Sequence, residues 1–434
     1  MPKVTAFRPP SCRIALALAV LTAPAAFAQD GQPPAVVFSN PLVRTPDQGP
    51  VGVLQRIRPE FDSTGLRLGS FIVTPLLFTS LGYSDNVFYT RDNTKSDGVF
   101  RIAPTVLVRS DWARHAFEGE AAVENVTYFD SNRQNGINAR ILGAGRIDID
   151  RSSSINLNAG YTRSIDGALS PSSIIPGLTT PSVSSLTPAI TNRYVAGANY
   201  TYRVNRLTIT PSVSYTRSTY EAQSVTPINQ NQAQRNGDVY TLATRVAYQL
   251  SGPSSVFVEA AGNVRRYRNA ALNSEGFRIS AGLATDFWRL FQGEVQAGIL
   301  HQVYTGNLGS VTGPFLAANI RYYPTERTTL GLFARRDVGE PSAANVRPGI
   351  TTLIGLSGEF ELRRNILAVA NYTLANISSR NNNDNFHSVS AGPVWLINRN
   401  AQLSAIYRFQ TRSTTQSAFN YDRNQFLVQL RLGL

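Results

Sequence analysis

The last ten residues, Gln-Phe-Leu-Val-Gln-Leu-Arg-Leu-Gly-Leu at 425–434, decide the fold class. One face of this stretch carries Phe426, Val428, Leu430, Leu432 and Leu434, and the other carries Gln425, Gln429, Arg431 and Gly433. A period of two places alternate side chains on opposite faces of a β-strand. The stretch therefore predicts a strand with one apolar face and one polar face.

The same alternation recurs from residue 69 onward, and 100–109, 207–215, 240–250 and 354–362 are clear examples. These segments run for about nine residues or more, whereas strands of soluble proteins average about 5–6 residues and tilted bilayer-crossing strands need about 9–11. About eighteen such segments are joined alternately by short turns and by longer polar connections, which are predicted to include loops at 379–385 and 411–420. The pattern predicts an all-β, transmembrane antiparallel up-and-down β-barrel of about eighteen strands, with sixteen as the next choice.

Aromatic side chains at the strand ends support a membrane barrel over a soluble sandwich, because aromatic girdles mark both membrane interfaces. We expect such girdles to contain Tyr83, Tyr128, Tyr161, Tyr200, Tyr202, Tyr267, Trp288, Tyr304, Tyr322, Tyr323, Trp395 and Tyr407.

The chain divides into three parts. Residues 1–28 resemble a secretory signal peptide, with Lys3, Arg8 and Arg13 before an apolar run and Ala26-Phe27-Ala28 as the cleavage site. Residues 29–67 are rich in proline and are predicted to be an extended periplasmic linker. Residues 68–434 form the predicted barrel. We expect it in the outer membrane of a Gram-negative bacterium, after export across the inner membrane.

The opening of the barrel resembles the putative beta-barrel porin 2 family over the region from Arg58 to Leu434. The resemblance rests on Gly65, Arg67, Gly69, Ser70, Phe71, Tyr83, Asp85, Asn86 and Val87. It implies an outer-membrane barrel, and many such proteins resemble components encoded with exopolysaccharide synthesis and export. The terminal Leu434 departs from the Phe or Trp that ends many outer-membrane barrels.

No catalytic, metal or cofactor site is predicted. His115, His301 and His387 are far apart, no Gly-x-Ser-x-Gly nucleophile motif occurs, and the one cysteine is Cys12. An outer-membrane enzyme therefore ranks third among the functional hypotheses.

The polar strand faces supply the candidate pore-lining residues. These are Arg101, Arg109, Arg140, Arg146, Arg193, Arg203, Arg245, Arg265, Arg278, Arg321, Arg408 and Arg431, with Glu118, Glu120, Glu124, Glu359 and Glu361. Asp148, Glu259 and Glu294 belong to the same acidic set. Two interpretations stay open: cross-strand ion pairs that brace the wall, or bracing combined with selection of anionic solutes.

The leading functional hypothesis is porin-like passage or export of polar or anionic solutes through an arginine-biased lumen, with a link to exopolysaccharide and with loop 165–191 as a gate. The alternative is a non-conducting structural or assembly barrel of an envelope polysaccharide machine. Expected partners are outer-membrane lipid and lipopolysaccharide, the barrel-insertion machinery and polysaccharide export components. Nucleic acid is not an expected partner, because the basic residues are not clustered along the exported chain.

Overall fold

The structure is a computed structural model that describes residues 51–166, 189–221, 232–252, 254–287, 290–339, 348–379, 382–415 and 417–434. The strands are β1 (Leu66–Leu68), β2 (Phe71–Ser84), β3 (Asp97–Ser110), β4 (Ala116–Tyr128), β5 (Gly136–Asp148), β6 (Ser153–Asp166), β7 (Ala189–Val204), β8 (Leu207–Tyr220), β9 (Gly237–Ser251), β10 (Ser254–Tyr267), β11 (Ser274–Phe287), β12 (Phe291–Tyr304), β13 (Ser310–Thr325), β14 (Thr328–Val338), β15 (Ile350–Arg363), β16 (Ile366–Ser379), β17 (Asn382–Leu396), β18 (Ala401–Thr414) and β19 (Tyr421–Gly433). Short 3-10 turns occupy Val53–Gln55, Asn132–Gln134, Gln232–Arg235, Ala270–Leu272 and Ser417–Phe419.

Strands β2 to β19 form a closed antiparallel barrel of eighteen strands, which confirms the predicted fold class. Each strand pairs with its neighbours in the chain, and β19 closes the ring against β2 through pairs such as Leu432 with Leu77. Closure leaves no wall strand with an open edge, as backbone in a bilayer requires. The short β1 pairs with the beginning of β2, so that Leu66 lies opposite Val73.

Burial in this barrel is the reverse of that in a soluble protein. Leu242 on β9 is 66% exposed, whereas Arg423 on β19 is 1% exposed. Outward positions of most strands carry exposed Leu, Ile, Val and aromatic side chains, and inward positions carry buried Ser, Thr, Gln, Arg and Glu. An apolar exterior around a polar interior is what lipid on the outside and water on the inside select.

Outward tyrosines mark the two ends of the apolar band. Tyr194 and Tyr202 lie eight residues apart on β7, and Tyr240 and Tyr248 have the same spacing on β9; all four side chains are exposed. Eight residues correspond to about 26 Å along a strand. The exterior therefore carries aromatic girdles at both ends of the strands.

Four aromatic residues expected in the girdles face the interior instead. Tyr128 pairs with buried Val99, and Tyr304 pairs with buried Ser274. Tyr267 lies two residues after Arg265 on β10 and therefore shares its inward face. Tyr323 is buried and donates a hydrogen bond of 3.2 Å to Gln292 on the inward face of β12. A tyrosine at a strand end satisfies its hydroxyl equally well on either face, so residue type alone did not fix the side. Trp288 lies outside the described residues.

The connections alternate between short turns at one rim and mostly longer connections at the other. We call these the short-turn rim and the loop rim. The turn between β5 and β6 belongs to the short-turn rim, and there the Ser152 hydroxyl and amide donate to Asp150 and lower the pKa of its carboxyl to about 2.

Two predicted loops are shorter than expected, because polar alternating residues at their ends continue the strands. Residues 382–385 belong to β17 and 411–414 belong to β18. Most of the predicted gating loop 165–191 lies outside the described residues, as do the signal region and residues 29–50. In the described part of the chain, no helix is long and apolar enough to cross a membrane.

Candidate channel interior

Strand register defines which side chains share the interior face. Residues directly opposite each other on paired strands lie on the same face. Buried Ser80 on β2 pairs with buried Arg101 on β3, and buried Ser80 also pairs with Gln429 on β19. Following such pairs around the ring assigns one face of each wall strand to the lumen.

The structure places every predicted pore-lining residue on the interior face of the wall. The arginines are Arg101 and Arg109 (β3), Arg140 and Arg146 (β5), Arg193 and Arg203 (β7), Arg245 (β9), Arg265 (β10), Arg278 (β11), Arg321 (β13), Arg408 (β18) and Arg431 (β19). The glutamates are Glu118, Glu120 and Glu124 on β4 and Glu359 and Glu361 on β15. Their contact with a solute stays a prediction.

Ring closure gathers an excess of arginine on neighbouring strands. We define the arginine sector as the inward arginines of β18, β19 and β3, which flank β2: Arg101, Arg109, Arg408, Arg412, Arg423 and Arg431. The described inward faces of β18, β19, β2 and β3 carry one carboxylate, Asp97. Asp97 accepts a hydrogen bond of 2.7 Å from the amide of Ser131, so it is engaged with the β4–β5 connection.

Arg101 is a buried member of the sector whose guanidinium keeps two donors without a partner among the described residues. The residue is 4% exposed, and its Nε and Nη1 atoms have no hydrogen-bond partner among the described residues. By contrast, Arg423 donates from Nε to Ser84 over 2.9 Å and from Nη1 to the Tyr89 hydroxyl. Arg412 binds Asp384 of β17 through two hydrogen bonds, of 2.9 and 2.5 Å.

A network of ion pairs braces another part of the wall, formed by β9 to β12. Arg245 donates to Glu259 over 2.9 Å and to Glu294 over 2.9 Å, and Arg278 donates to Glu259 over 2.6 Å. The Arg245 guanidinium also lies 4.0 Å from the centre of the Phe257 ring. These arginines are committed to the wall, which supports the bracing interpretation for this region.

Further interior pairs join Arg140 to Glu120, Arg146 to Asp148 and Arg335 to Asp337. Sequence reasoning missed the interior arginines Arg335, Arg412 and Arg423. Arg412 belonged to a predicted loop. Arg423 precedes residues 425–434, in which the alternation of the last strand was recognised. Extending the alternation by one pair of residues would have found Arg423, because it shares the parity of Gln425.

A segment from the predicted linker lies inside the barrel at the short-turn rim. We call residues 51–62 the strap. Val53 is fully buried against the inward side chains of Leu367, Val369, Val394 and Ile406. The prolines of residues 29–67 predicted an extended linker, and the structure seats residues 51–62 of that region on an apolar part of the wall.

Polar contacts hold the strap on both sides of Val53. The amide of Val53 donates to Thr329 over 2.9 Å, and the amide of Leu54 donates to Glu359 over 3.0 Å. Arg56 and Arg58 each approach Glu361 to 2.8 Å. Predicted pore-lining Glu359 and Glu361 are thus occupied by the strap, and Arg321 donates to Gln55 over 2.7 Å.

The three histidines do not meet. Asp148 donates its amide to the ring of His115 over 3.2 Å, His301 contacts Thr312 at 2.6 Å, and His387 contacts the hydroxyl of Tyr372 at 2.9 Å. The described residues contain no group of three or more potential metal ligands.

Comparison with known families gives the class of this barrel. A profile described as putative beta-barrel porin 2 matches residues 58–434. The chain belongs to this family. The match covers most of the chain and confirms the family predicted from the sequence. A search of curated proteins found no match.

Solved structures similar to this putative beta-barrel porin 2 member include outer-membrane proteins of Pseudomonas aeruginosa. OccK9 (OpdG) shares 12% identity with a TM-score of 0.44, covering 84% of this chain and 98% of that one. OpdK, solved with vanillate, shares 9% identity with a TM-score of 0.45, covering 83% and 99%. The siderophore receptor PirA shares 9% identity with a TM-score of 0.41, covering 83% and 80%. At these identities the likeness extends to the barrel fold alone.

The motif of the putative beta-barrel porin 2 family acts at the closure of the ring. Asp85 accepts hydrogen bonds from the amide and the side chain of Asn424, over 2.7 and 2.6 Å. Asn86 donates to the carbonyl oxygen of Asp422 over 2.9 Å. The Asp-Asn pair after the first wall strand therefore ties that strand to the last one.

Proposed function

We propose that this porin-like barrel is an outer-membrane channel for polar, predominantly anionic solutes. The observation that carries the proposal is the arginine sector, where six inward arginines share four adjacent wall strands with one carboxylate. Arginine in a pore favours anions, and its planar fork suits carboxylate and phosphate groups. The braced arginines on β9 to β12 contribute to the wall, so selectivity is assigned to the sector rather than to the whole lumen.

The solute class we propose includes acidic saccharides. The family resemblance includes many components encoded with exopolysaccharide synthesis and export, and uronic-acid carboxylates match the guanidinium groups of the sector. Block of the channel by an acidic oligosaccharide, but not by a neutral one of equal length, is the expected result. The proposal assigns no catalytic residue.

The test is the ratio of anion to cation permeability in planar bilayers. Arg101→Gln removes a charge that forms no ion pair among the described residues, so we expect the wall to remain intact. A unit charge about 8 Å from an ion in water contributes about 0.5 kcal/mol, so the ratio should fall about twofold. The matched control is Arg217→Gln, whose arginine lies on the exterior face of β8 beside Asp238. A wild-type channel without anion preference would contradict the proposal.

A second candidate, a non-conducting structural barrel, is favoured by one observation: the strap occupies part of the lumen at the short-turn rim. Such a barrel would serve as a platform for envelope polysaccharide machinery. Absence of conductance steps from both the wild type and a variant with a released strap would favour this candidate over a channel.

A further inference from the structure

The seat of the strap is an apolar patch inside a polar lumen. Leu367, Val369, Val394 and Ile406 occupy inward positions of β16, β17 and β18, where a water-filled barrel is expected to carry polar side chains. All four are buried, and together with Val53 they form one apolar cluster. Apolar groups facing water cost free energy. The patch is therefore an internal docking surface whose occupant is the strap.

Side chains, not backbone pairing, hold the strap against the wall. In the described residues, no backbone-to-backbone hydrogen bond joins 51–62 to a wall strand. One end of the strap leads to Gly65, whose φ is +69° and whose Cβ, if present, would lie 2.7 Å from the Thr74 hydroxyl. The strap can therefore leave its seat without breaking any strand of the barrel.

Charge links the strap to selectivity. When the strap is seated, its Arg56 and Arg58 pair with Glu361, and its Leu54 amide donates to Glu359. The strap also carries Glu60 and Asp62, so its release removes no net charge from the short-turn rim but uncovers the carboxylates of Glu359 and Glu361. An open mouth should consequently be wider and less selective for anions than a closed one.

We propose that residues 51–62 are a movable constriction that closes the short-turn mouth when Val53 is seated and opens it when Val53 leaves. This proposal rests on the proposed channel function and adds its regulation. The partner of the docking surface is a short segment with the pattern Val-x-x-Arg-x-Arg, which the chain supplies itself at 53–58.

The first experiment compares Val53→Asp with Val51→Asp in planar bilayers. An aspartate at 53 cannot occupy the apolar seat, and we expect single-channel conductance to rise about twofold while the anion preference falls. Val51 is exposed and two residues away, so the same substitution there should leave both quantities at wild-type values. Heat-modifiable migration on gels verifies that both variants contain a folded barrel.

The second experiment locks the strap with Gly52→Cys and Thr329→Cys. A Cβ at position 52 would lie 3.5 Å from Cγ2 of Thr329, and φ of Gly52 is −57°, which any residue adopts. The oxidised double variant should show only the low-conductance state, and reduction should restore openings to the high-conductance state. Each single variant should be insensitive to oxidant.

The outcomes separate the two proposals. Equal, non-zero conductance in the wild type, Val53→Asp and the oxidised lock would overturn the movable constriction and leave the channel in place. No conductance in any form, including Val53→Asp, would overturn both. Higher conductance in Val53→Asp, together with confinement of the oxidised lock to the low-conductance state, supports the constriction.

Discussion

The pair formed by Arg412 and Asp384 shows how single residues hold this wall together. Its side chains are 2% and 0% exposed, and two hydrogen bonds join them across β17 and β18. A guanidinium and a carboxylate buried together are stable only as a pair, because either one alone leaves an uncompensated charge. The pair also neutralises one arginine of the sector, so it contributes to the wall more than to selectivity.

We therefore predict that Asp384→Asn lowers the free energy of unfolding by about 3 kcal/mol. Chemical unfolding of the barrel in detergent measures this loss. Asp422→Asn is the control, because Asp422 lies on the outward face of β19 and is exposed. A loss of equal size in both variants would contradict a specific role for the buried pair.

At the scale of the strands, the two-residue alternation was sufficient to predict which side chains face the interior of the barrel. It predicted the inward side of every candidate arginine and glutamate, because a period of two leaves no freedom once one face is apolar. It was insufficient at strand ends. Asp384 and Arg412 lie at the boundaries between predicted loops and strands. Polar residues at such boundaries are compatible with a loop and with a strand.

The position of an outward residue along its strand predicts how deeply it lies in the bilayer. Ile299 on β12 is an exposed outward residue away from both strand ends, whereas Leu362 is an exposed outward residue at the end of β15. Arginine near the bilayer midplane costs about 2–4 kcal/mol and close to an interface about 0–1 kcal/mol.

We accordingly expect Ile299→Arg to reduce stability in lipid vesicles far more than Leu362→Arg. Reversible denaturant titration in vesicles measures both. Similar losses at the two positions would mean that the apolar band does not lie in the hydrocarbon layer.

At the scale of the whole molecule, closure created features that no single segment shows. The arginine sector exists because the last two strands meet the first two, and the strap is seated because its apolar patch comes from three separate strands. The prolines of residues 29–67 predicted an extended segment, and an extended segment is compatible with both a linker and an internal strap. Only the tertiary contacts of Val53 distinguish them.

The proposed charge selectivity of the lumen should depend on salt. The Debye length falls from about 10 Å at 0.1 M to about 3 Å at 1 M, so the field of the arginine sector is screened at high salt. We expect the anion preference of the wild type to decline strongly between these KCl concentrations. Reversal potentials measured at both concentrations test this, and a preference that does not change with salt would point to size rather than charge.

The spacing of the outward tyrosines has a consequence for the choice of host membrane. With strands tilted by about 40°, the eight-residue interval on β7 and β9 spans only about 20 Å along the bilayer normal. Hydrophobic mismatch disfavours such a barrel in thick, sterol-rich bilayers and favours a thinner one, and the bacterial outer membrane is thinner than average. Short-chain phospholipids should accordingly accept the refolding protein in higher yield than long-chain ones.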